Sequence, residues 1–286
     1  MMRKYMHGVW VTEARSDDGA VLQVADHGAH LLSWTTAEGD QALYLSGRSG
    51  YGGDLAIRGG VPIIFPQFAE RGAGRRHGFA RTAGWRLAFA GVERGRAVVR
   101  HVLTYADLPG NAWPHRFELR YEVAAHGNRL HTTLSVANPS PLAWSFHAAL
   151  HSYWRVADIA SVGVTGLCDV AYIDQVAEGG EAMQRDEILR IDGEVDRIYR
   201  NLPGDIGLDD GERTFAFEHR GFPDAVVWNP GAAKAAALSD LTPGGHREFL
   251  CIEAGAVMRP VTLAPGETWE GSQVARVERR RFNGAA

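Results

Sequence analysis

Residues 117–136 constrain the fold of this chain more than any other stretch. In FELRYEV (117–123) apolar side chains alternate with polar ones without a slip. His126-Gly127-Asn128 then supplies turn residues, and the alternation resumes at Leu130, Thr132, Leu134 and Val136. Successive side chains on a strand point to opposite faces, so a period of two sets one face inward and one outward. The segment predicts a β-hairpin lying on a core.

The same signals recur along the chain. Residues 21–24 follow the turn-like Asp17-Asp18-Gly19, and 98–105 and 225–228 are rich in residues that favour strands. Glycines fall between these runs as punctuation. Helix signals are thin, and the alanine-rich stretch 230–238 predicts one short helix. No internal repeat or Ser/Pro-rich linker divides the chain. With 286 residues and 45% apolar content it can bury a sizeable core as one domain spanning 1–286. Many short strands with turns between them predict an all-β fold, an antiparallel sandwich or barrel.

A net charge of −4 argues against a whole-molecule attraction to nucleic acid or anionic membrane. No apolar run approaches the ~18 residues that span a bilayer. MMRKYMHGVWV at the start lacks the apolar core of a secretory signal. Cys168 and Cys251 stand in no ligand or redox spacing and read as reduced, partly buried thiols. The expected location is cytoplasmic, and nothing in the sequence specifies an assembly. The basic tail RVERRR (276–281) reads as the solvated end of a last strand.

Against this mildly acidic background, RGGVPIIFPQFAERGAGRRHGFARTAGW (58–85) gathers Arg58, Arg71, Arg75, Arg76 and Arg81. Guanidinium forks hold carboxylate or phosphate bidentately and stay charged. The basic stripe is short, which favours phosphate on a small molecule over nucleic acid. Arg71 and Arg75 read as solvated. Gly59-Gly60 allows close approach of the backbone to a neighbour, and Pro62 and Pro66 stiffen the path around Ile63-Ile64-Phe65.

Two further stretches carry acid–base side chains. His147 and His151 have the i, i+4 spacing of a helical metal pair, but Trp144, Phe146, Tyr153 and Trp154 around them favour a strand. A strand would set them on one side, roughly 13 Å apart, too far to share an ion. Glu253 follows the apolar run Phe249-Leu250-Cys251-Ile252. It is either a desolvated carboxylate with a raised pKa, poised as a general base, or a strand-end glutamate facing water. No GxGxxG, P-loop or GxSxG motif is present. The residues alone describe a cofactor-free enzyme or binder for a small phosphorylated polar ligand.

Six segments, in order along nearly the whole chain, carry a resemblance. They are His27-Gly28-Ala29-His30-Leu31-Leu32-Ser33-Trp34, Ile57-Arg58-Gly59-Gly60-Val61-Pro62 with His77-Gly78-Phe79-Ala80-Arg81, Ala149-Leu150-His151-Ser152-Tyr153-Trp154, Glu194-Val195-Asp196-Arg197-Ile198-Tyr199, Val227-Trp228-Asn229-Pro230, and Cys251-Ile252-Glu253. Together they resemble the glucose-6-phosphate 1-epimerases, or hexose-6-phosphate mutarotases, of the aldose 1-epimerase superfamily. The resemblance implies a large antiparallel β-sandwich, the galactose mutarotase-like supersandwich, with few short helices and a sugar site on a concave sheet face.

It also implies roles. His151 is the expected general acid and Glu253 the general base. Arg58 and Arg81 are expected to contact substrate, most naturally its phosphate. His77 would orient the sugar, Asp196 would bind hydroxyls, and Arg76 stands where some relatives carry a substrate-contacting glutamine. The implied reaction interconverts α and β anomers of a hexose 6-phosphate with neither metal nor nucleotide cofactor. The expected partner is a small sugar phosphate, not nucleic acid or membrane. An ionised pair would be mutually reinforcing, the carboxylate raising the histidine pKa and the imidazolium lowering the carboxylate's. Three alternatives stay open at this point. They are a non-catalytic sugar-phosphate binder, a mutarotase of a free aldose, and a metal-dependent β-barrel enzyme using His77, His147 and His151.

Overall fold

A computed structural model describes residues 1–108 and 113–280. The hairpin forms as its alternation requires. Glu118–His126 pairs antiparallel with Arg129–Ala137, and the inward residues meet across it as Leu119 with Val136, Tyr121 with Leu134 and Val123 with Thr132. His126 pairs directly with Arg129, so the turn tightens to Gly127-Asn128, with Gly127 at φ +59.

This hairpin belongs to a nine-stranded sheet. Its order is Leu189–Arg190, Gly163–Thr165, Ile206–Asp209, Arg213–Arg220, Thr268–Arg279, Arg129–Ala137, Glu118–His126, Arg96–Thr104 and Arg86–Glu93. A second, eight-stranded sheet runs Gly180–Met183, Ala171–Asp174, Val195–Tyr199, Asp224–Asn229, Phe249–Leu263, Trp144–Leu150 and Ile63–Ile64, and Tyr153–Arg155 also pairs with Phe249–Leu263. A four-stranded meander, Met2–Met6, Val9–Arg15, Val21–Ala25 and Leu31–Thr35, packs against the Arg86–Glu93, Arg96–Thr104 and Glu118–His126 end of the nine-stranded sheet. One apolar core joins the three, with Leu22 and Trp34 from the meander, Leu150 and Ile252 from the eight-stranded sheet, and Leu134 and Phe217 from the nine-stranded one. The fold is therefore a large antiparallel β-sandwich. Its one α-helix among the described residues is Gly231–Ala237, within the alanine-rich stretch. No helix among them is long and apolar enough to cross a membrane.

Alternation in the eight-stranded sheet decides what reaches its outer face. Trp144, Phe146, Ala148 and Leu150 all enter the core between the sheets, so His147, Ala149 and His151 turn the other way. Leu250, Ile252, Ala254 and Ala256 point inward, which turns Cys251, Glu253 and Val257 outward. Val195 and Tyr199 face the core, and Asp196 and Ile198 face away. Register then brings these outward residues together, with Asp196 opposite Trp228 and Val226 opposite Glu253.

The two cysteines are unpaired, Cys251 buried and Cys168 part-exposed. In the basic tail, Arg276 pairs with Glu278, Arg279 with Asp40 and Arg280 with Asp209, while Arg281 lies outside the described residues.

Candidate active site

The outward face of the eight-stranded sheet holds a cavity of about 510 Å³, lined by Arg58, Arg76, His77, Arg81, His151, Asp196 and Glu253. The seven residues to which the resemblance gave roles thus open into one space. Phe68, Gln175, Trp228 and Lys234 complete much of its wall.

His151 and Glu253 form the floor. Leu150 pairs with Ala254 and Tyr153 with Cys251, and the same register carried across the gap sets His151 opposite Glu253. His151 Nδ1 and Glu253 Oε1 stand 3.2 Å apart, a pair in close contact but without the alignment of a hydrogen bond. Nδ1 and the other carboxylate oxygen, Oε2, are both buried without a partner. Glu253 does not close its apolar run. The strand continues through buried Ala254, Gly255, Ala256 and Val257, so the carboxyl lies mid-strand at 1% exposure. That decides between the two readings of Glu253 in favour of the desolvated carboxylate.

Burial pushes Glu253 well above the ordinary carboxylate range, and the nearby charge of Asp196 adds to the effect while Arg81 opposes it. Burial pushes His151 well below the ordinary histidine value, helped by His77, Arg81 and Arg58. These directions are opposite to those expected for an ionised pair. Desolvation outweighs mutual attraction, because a low-dielectric site penalises both charges.

Tyr153 lies flat on the His151 ring, with centroids 4.9 Å apart and planes 8° from parallel. Its hydroxyl accepts from Arg58 Nη1 at 2.9 Å. Arg58 is also held by Asp240, through Nη2 at 3.0 Å and Nε at 3.2 Å. Arg81 differs. It donates from Nη2 to the Arg76 carbonyl, its Nε is buried with no partner, and among the described residues no carboxylate pairs with it. Burial, with Arg58, Arg75 and Arg76 nearby, lowers its guanidinium to about 10. Arg76 sits at the rim, exposed and paired with Glu70 at 2.8 Å.

His77 adopts φ +63 beside Gly78. Its Nδ1 accepts the Ala69 N–H at 3.3 Å, which leaves the proton on Nε2. Burial, with Arg81, Arg76 and Arg58 close by, lowers its pKa to about 3, so it is a neutral imidazole.

Asp196 is raised to about 6, chiefly by burial. Its ordinary value is 3.8, so a folded molecule binds this proton more tightly than an unfolded one. Its ionised form therefore costs stability above about pH 6, and the cost is gone below the unfolded value. With a discount for screening at a part-exposed site, Asp196→Asn is expected to stabilise the protein by about 1–2 kcal/mol at neutral pH. The gain should vanish near pH 3.5. Urea unfolding of both proteins at the two pH values checks this.

The remaining basic residues of 58–85 go elsewhere. Arg71 and Arg75 line a different cavity, of about 700 Å³, together with His147, Phe79 and Trp113. Arg75 bonds Asp54 in solvent, as its solvated reading requires, whereas Arg71 is half-buried. His147 and His151 thus share a strand face but open into separate cavities, and do not meet at one ligand position. Gly59-Gly60 approaches backbone. A Cβ on Gly59 would lie 2.4 Å from the Tyr44 oxygen, and one on Gly60 2.2 Å from that of Leu31. Those contacts, at φ +115 and +58, fix where Arg58 enters the cavity.

Sequence reasoning gave no role to Tyr153, Trp228, Gln175, Lys234 or Asp240. Tyr153 was within reach, since it follows His151 by two residues and a strand period of two sets both on one face. Gln175 and Asp240 arrive from distant loops and carry no local signal.

The aldose 1-epimerase family model matches residues 11–276. A Cenchrus ciliaris protein provisionally named a glucose-6-phosphate 1-epimerase is 35% identical over 257 residues, covering 86% of this chain and 78% of its own. An Escherichia coli protein with the same provisional name is 32% identical, covering 94% and 95%. The crystal structure of a provisionally named mutarotase from Salmonella typhimurium superposes with a TM-score of 0.87 at 28% identity, over 97% of this chain and 93% of that one.

Proposed function

We propose that this chain, which belongs to the aldose 1-epimerase family, interconverts the α and β anomers of a hexose 6-phosphate, with glucose 6-phosphate the leading substrate. It is an isomerase. The observation that carries the reading is the His151–Glu253 contact of 3.2 Å on the floor of a cavity whose wall holds Arg81, a half-buried arginine with an unpartnered Nε and no carboxylate partner among the described residues. Orphaned atoms on His151, Glu253 and Arg81 are an unmet demand for hydrogen-bonding groups. A sugar phosphate brings hydroxyls, a ring oxygen and a dianion.

Anomerisation opens the ring to the aldehyde and closes it on the other face of C1. Glu253 as carboxylate takes the C1 hydroxyl proton. The C1–ring oxygen bond breaks, and His151 as imidazolium protonates the departing ring oxygen. Rotation about C1–C2 presents the other aldehyde face, and the same steps run backwards. Opening carries the pair from carboxylate and imidazolium to carboxylic acid and imidazole. Burial favours the second form, so the ionised pair is a minority state of the empty site, and the cost of forming it is part of the barrier to opening. Each group typically contributes ~10²–10⁴-fold.

Arg81 and Arg58 hold the phosphate, which lies far from C1 and supplies orientation rather than chemistry. His77 offers a neutral Nε2–H to a sugar oxygen, and Asp196 accepts from hydroxyls. Arg76 adds positive charge at the mouth. The test compares relaxation of an anomeric mixture of glucose 6-phosphate with that of free glucose. The reading requires faster relaxation of the phosphate. Equal acceleration of free glucose would make the protein a mutarotase of unphosphorylated aldoses.

A further inference from the structure

We propose that Gln273 is a positioning residue for the acid–base pair, a single buried amide through which the nine-stranded sheet holds the two residues that flank His151 and Glu253. The inference rests on the reading of those two side chains as acid and base.

Gln273 lies on Thr268–Arg279, in the sheet that contributes none of the cavity residues named above. It is 2% exposed and crosses the core between the sheets. Its Nε2 donates to the Ile252 carbonyl at 3.0 Å and stands 3.0 Å from His219 Nε2. Its Oε1 accepts from Ser152 Oγ at 2.6 Å. A carbonyl oxygen can only accept, so the amide orientation is fixed by Ile252. Burial lowers His219 to about 4, which makes it a neutral ring able to accept the second N–H. Both amide hydrogens and the oxygen are used.

The placement is what gives this amide a functional meaning. Ile252 immediately precedes Glu253, and Ser152 immediately follows His151. The ladder between these segments is interrupted here. Leu150–Ala254 and Tyr153–Cys251 are paired, but residues 151 and 152 belong to no strand. His151 N–H turns to the Pro62 carbonyl and Ser152 N–H folds back to that of Leu150, leaving one backbone bond across the gap, from Ile252 N–H to the Ser152 carbonyl at 3.3 Å, beside which the Trp154 indole N–H also donates to the Ile252 carbonyl at 3.2 Å. Gln273 bridges the gap from behind. A residue serving only to fill the core would be apolar, like its neighbours Ala275, Leu134 and Phe217, since an amide needs every partner satisfied to avoid a penalty. Catalytic groups that must stay within about 1 Å of a productive geometry benefit from such a fixed support.

The test uses Gln273→Leu, which keeps volume and removes all three bonds, and Ser152→Ala, which removes one. The readouts are kcat, KM and the pH profile of kcat for glucose 6-phosphate, with the thermal midpoint alongside. In Gln273→Leu, kcat should fall roughly 10- to 100-fold, by the usual cost of a small misplacement. KM should stay near the wild-type value, and both limbs of the pH profile should move toward ordinary histidine and glutamate values as the loosened pair hydrates. Ser152→Ala should show the same split more weakly. A Gln273→Leu protein that melts earlier but keeps wild-type kcat and pH limbs has lost only a structural support, and that result overturns the inference. Should Gln273→Leu not fold, Ser152→Ala decides: a lower kcat at unchanged KM supports the inference, and wild-type kinetics overturn it. Glu253→Gln serves as the reference. Full activity there would remove the acid–base reading itself, and this inference with it.

Discussion

Glu253→Gln is expected to cut the acceleration of anomer exchange by about 10²–10⁴-fold, the usual contribution of a positioned general base. Affinity for glucose 6-phosphate should be essentially retained. Gln has the shape of the carboxylate and keeps one acceptor oxygen at the floor, so ligand contacts survive while proton abstraction does not. Nor should the thermal midpoint fall. Glu253 is 1% exposed with Oε2 unpartnered, and burial pushes its pKa far up, so its ionised form is a cost to the fold at neutral pH. A neutral amide removes that cost. Loss of turnover with affinity and stability preserved separates an enzyme from a non-catalytic sugar-phosphate binder, for which the substitution would matter little. Isothermal titration and thermal unfolding, run beside the exchange assay, check the three parts.

The second large effect is expected at Arg81. Truncating one side of a desolvated charge pair typically costs 2–5 kcal/mol, so Arg81→Met should raise KM for glucose 6-phosphate roughly 30- to 5000-fold. Any slow reaction with free glucose should be unaffected, because that sugar presents no anion. Arg81→Lys should recover only part of the loss, since an ammonium supplies charge without the planar fork. Arg81→Met should also melt no lower than wild type. The guanidinium is held down to about 10 by burial and by neighbouring arginines, and removing it relieves that repulsion. Arg58→Met is a useful contrast. Asp240 already compensates Arg58, which also anchors Tyr153 against the His151 ring, so its loss should affect stability and kcat together. An unchanged KM in Arg81→Met would place the phosphate elsewhere in the cavity.

Much of this was legible in the sequence wherever strand alternation governs. The register of 117–136, the outward turn of His151 and the inward core of Leu250 and Ile252 all follow from a period of two. Loops obey no such period. Nothing in the periodicity distinguishes Arg81, which enters the cavity over His151 and Glu253, from Arg71, which lines the other one. Gly59-Gly60 signals a close approach without saying that the neighbours are the backbones of Leu31 and Tyr44. Gln273 looks like any polar residue on a late strand, and its bonds to Ile252 and Ser152 join positions far apart in the chain. The protonation of the His151–Glu253 pair was legible only in part. The two residue types are written in the sequence, but the depth of burial that drives their pKa values apart is set by the sandwich around them.

In the proposed reaction His151 and Glu253 open and close the ring of a phosphorylated hexose. The most direct measurement is two-dimensional exchange NMR on an equilibrium mixture of α- and β-glucose 6-phosphate, with wild-type protein and with His151→Ala. Strong exchange cross-peaks between the two anomeric protons with wild type, reduced to the uncatalysed level in the variant, are the predicted result. Exchange no faster than in buffer, alongside ligand-induced shifts in the protein spectrum, would contradict the account and leave a protein that binds the sugar phosphate without turning it over.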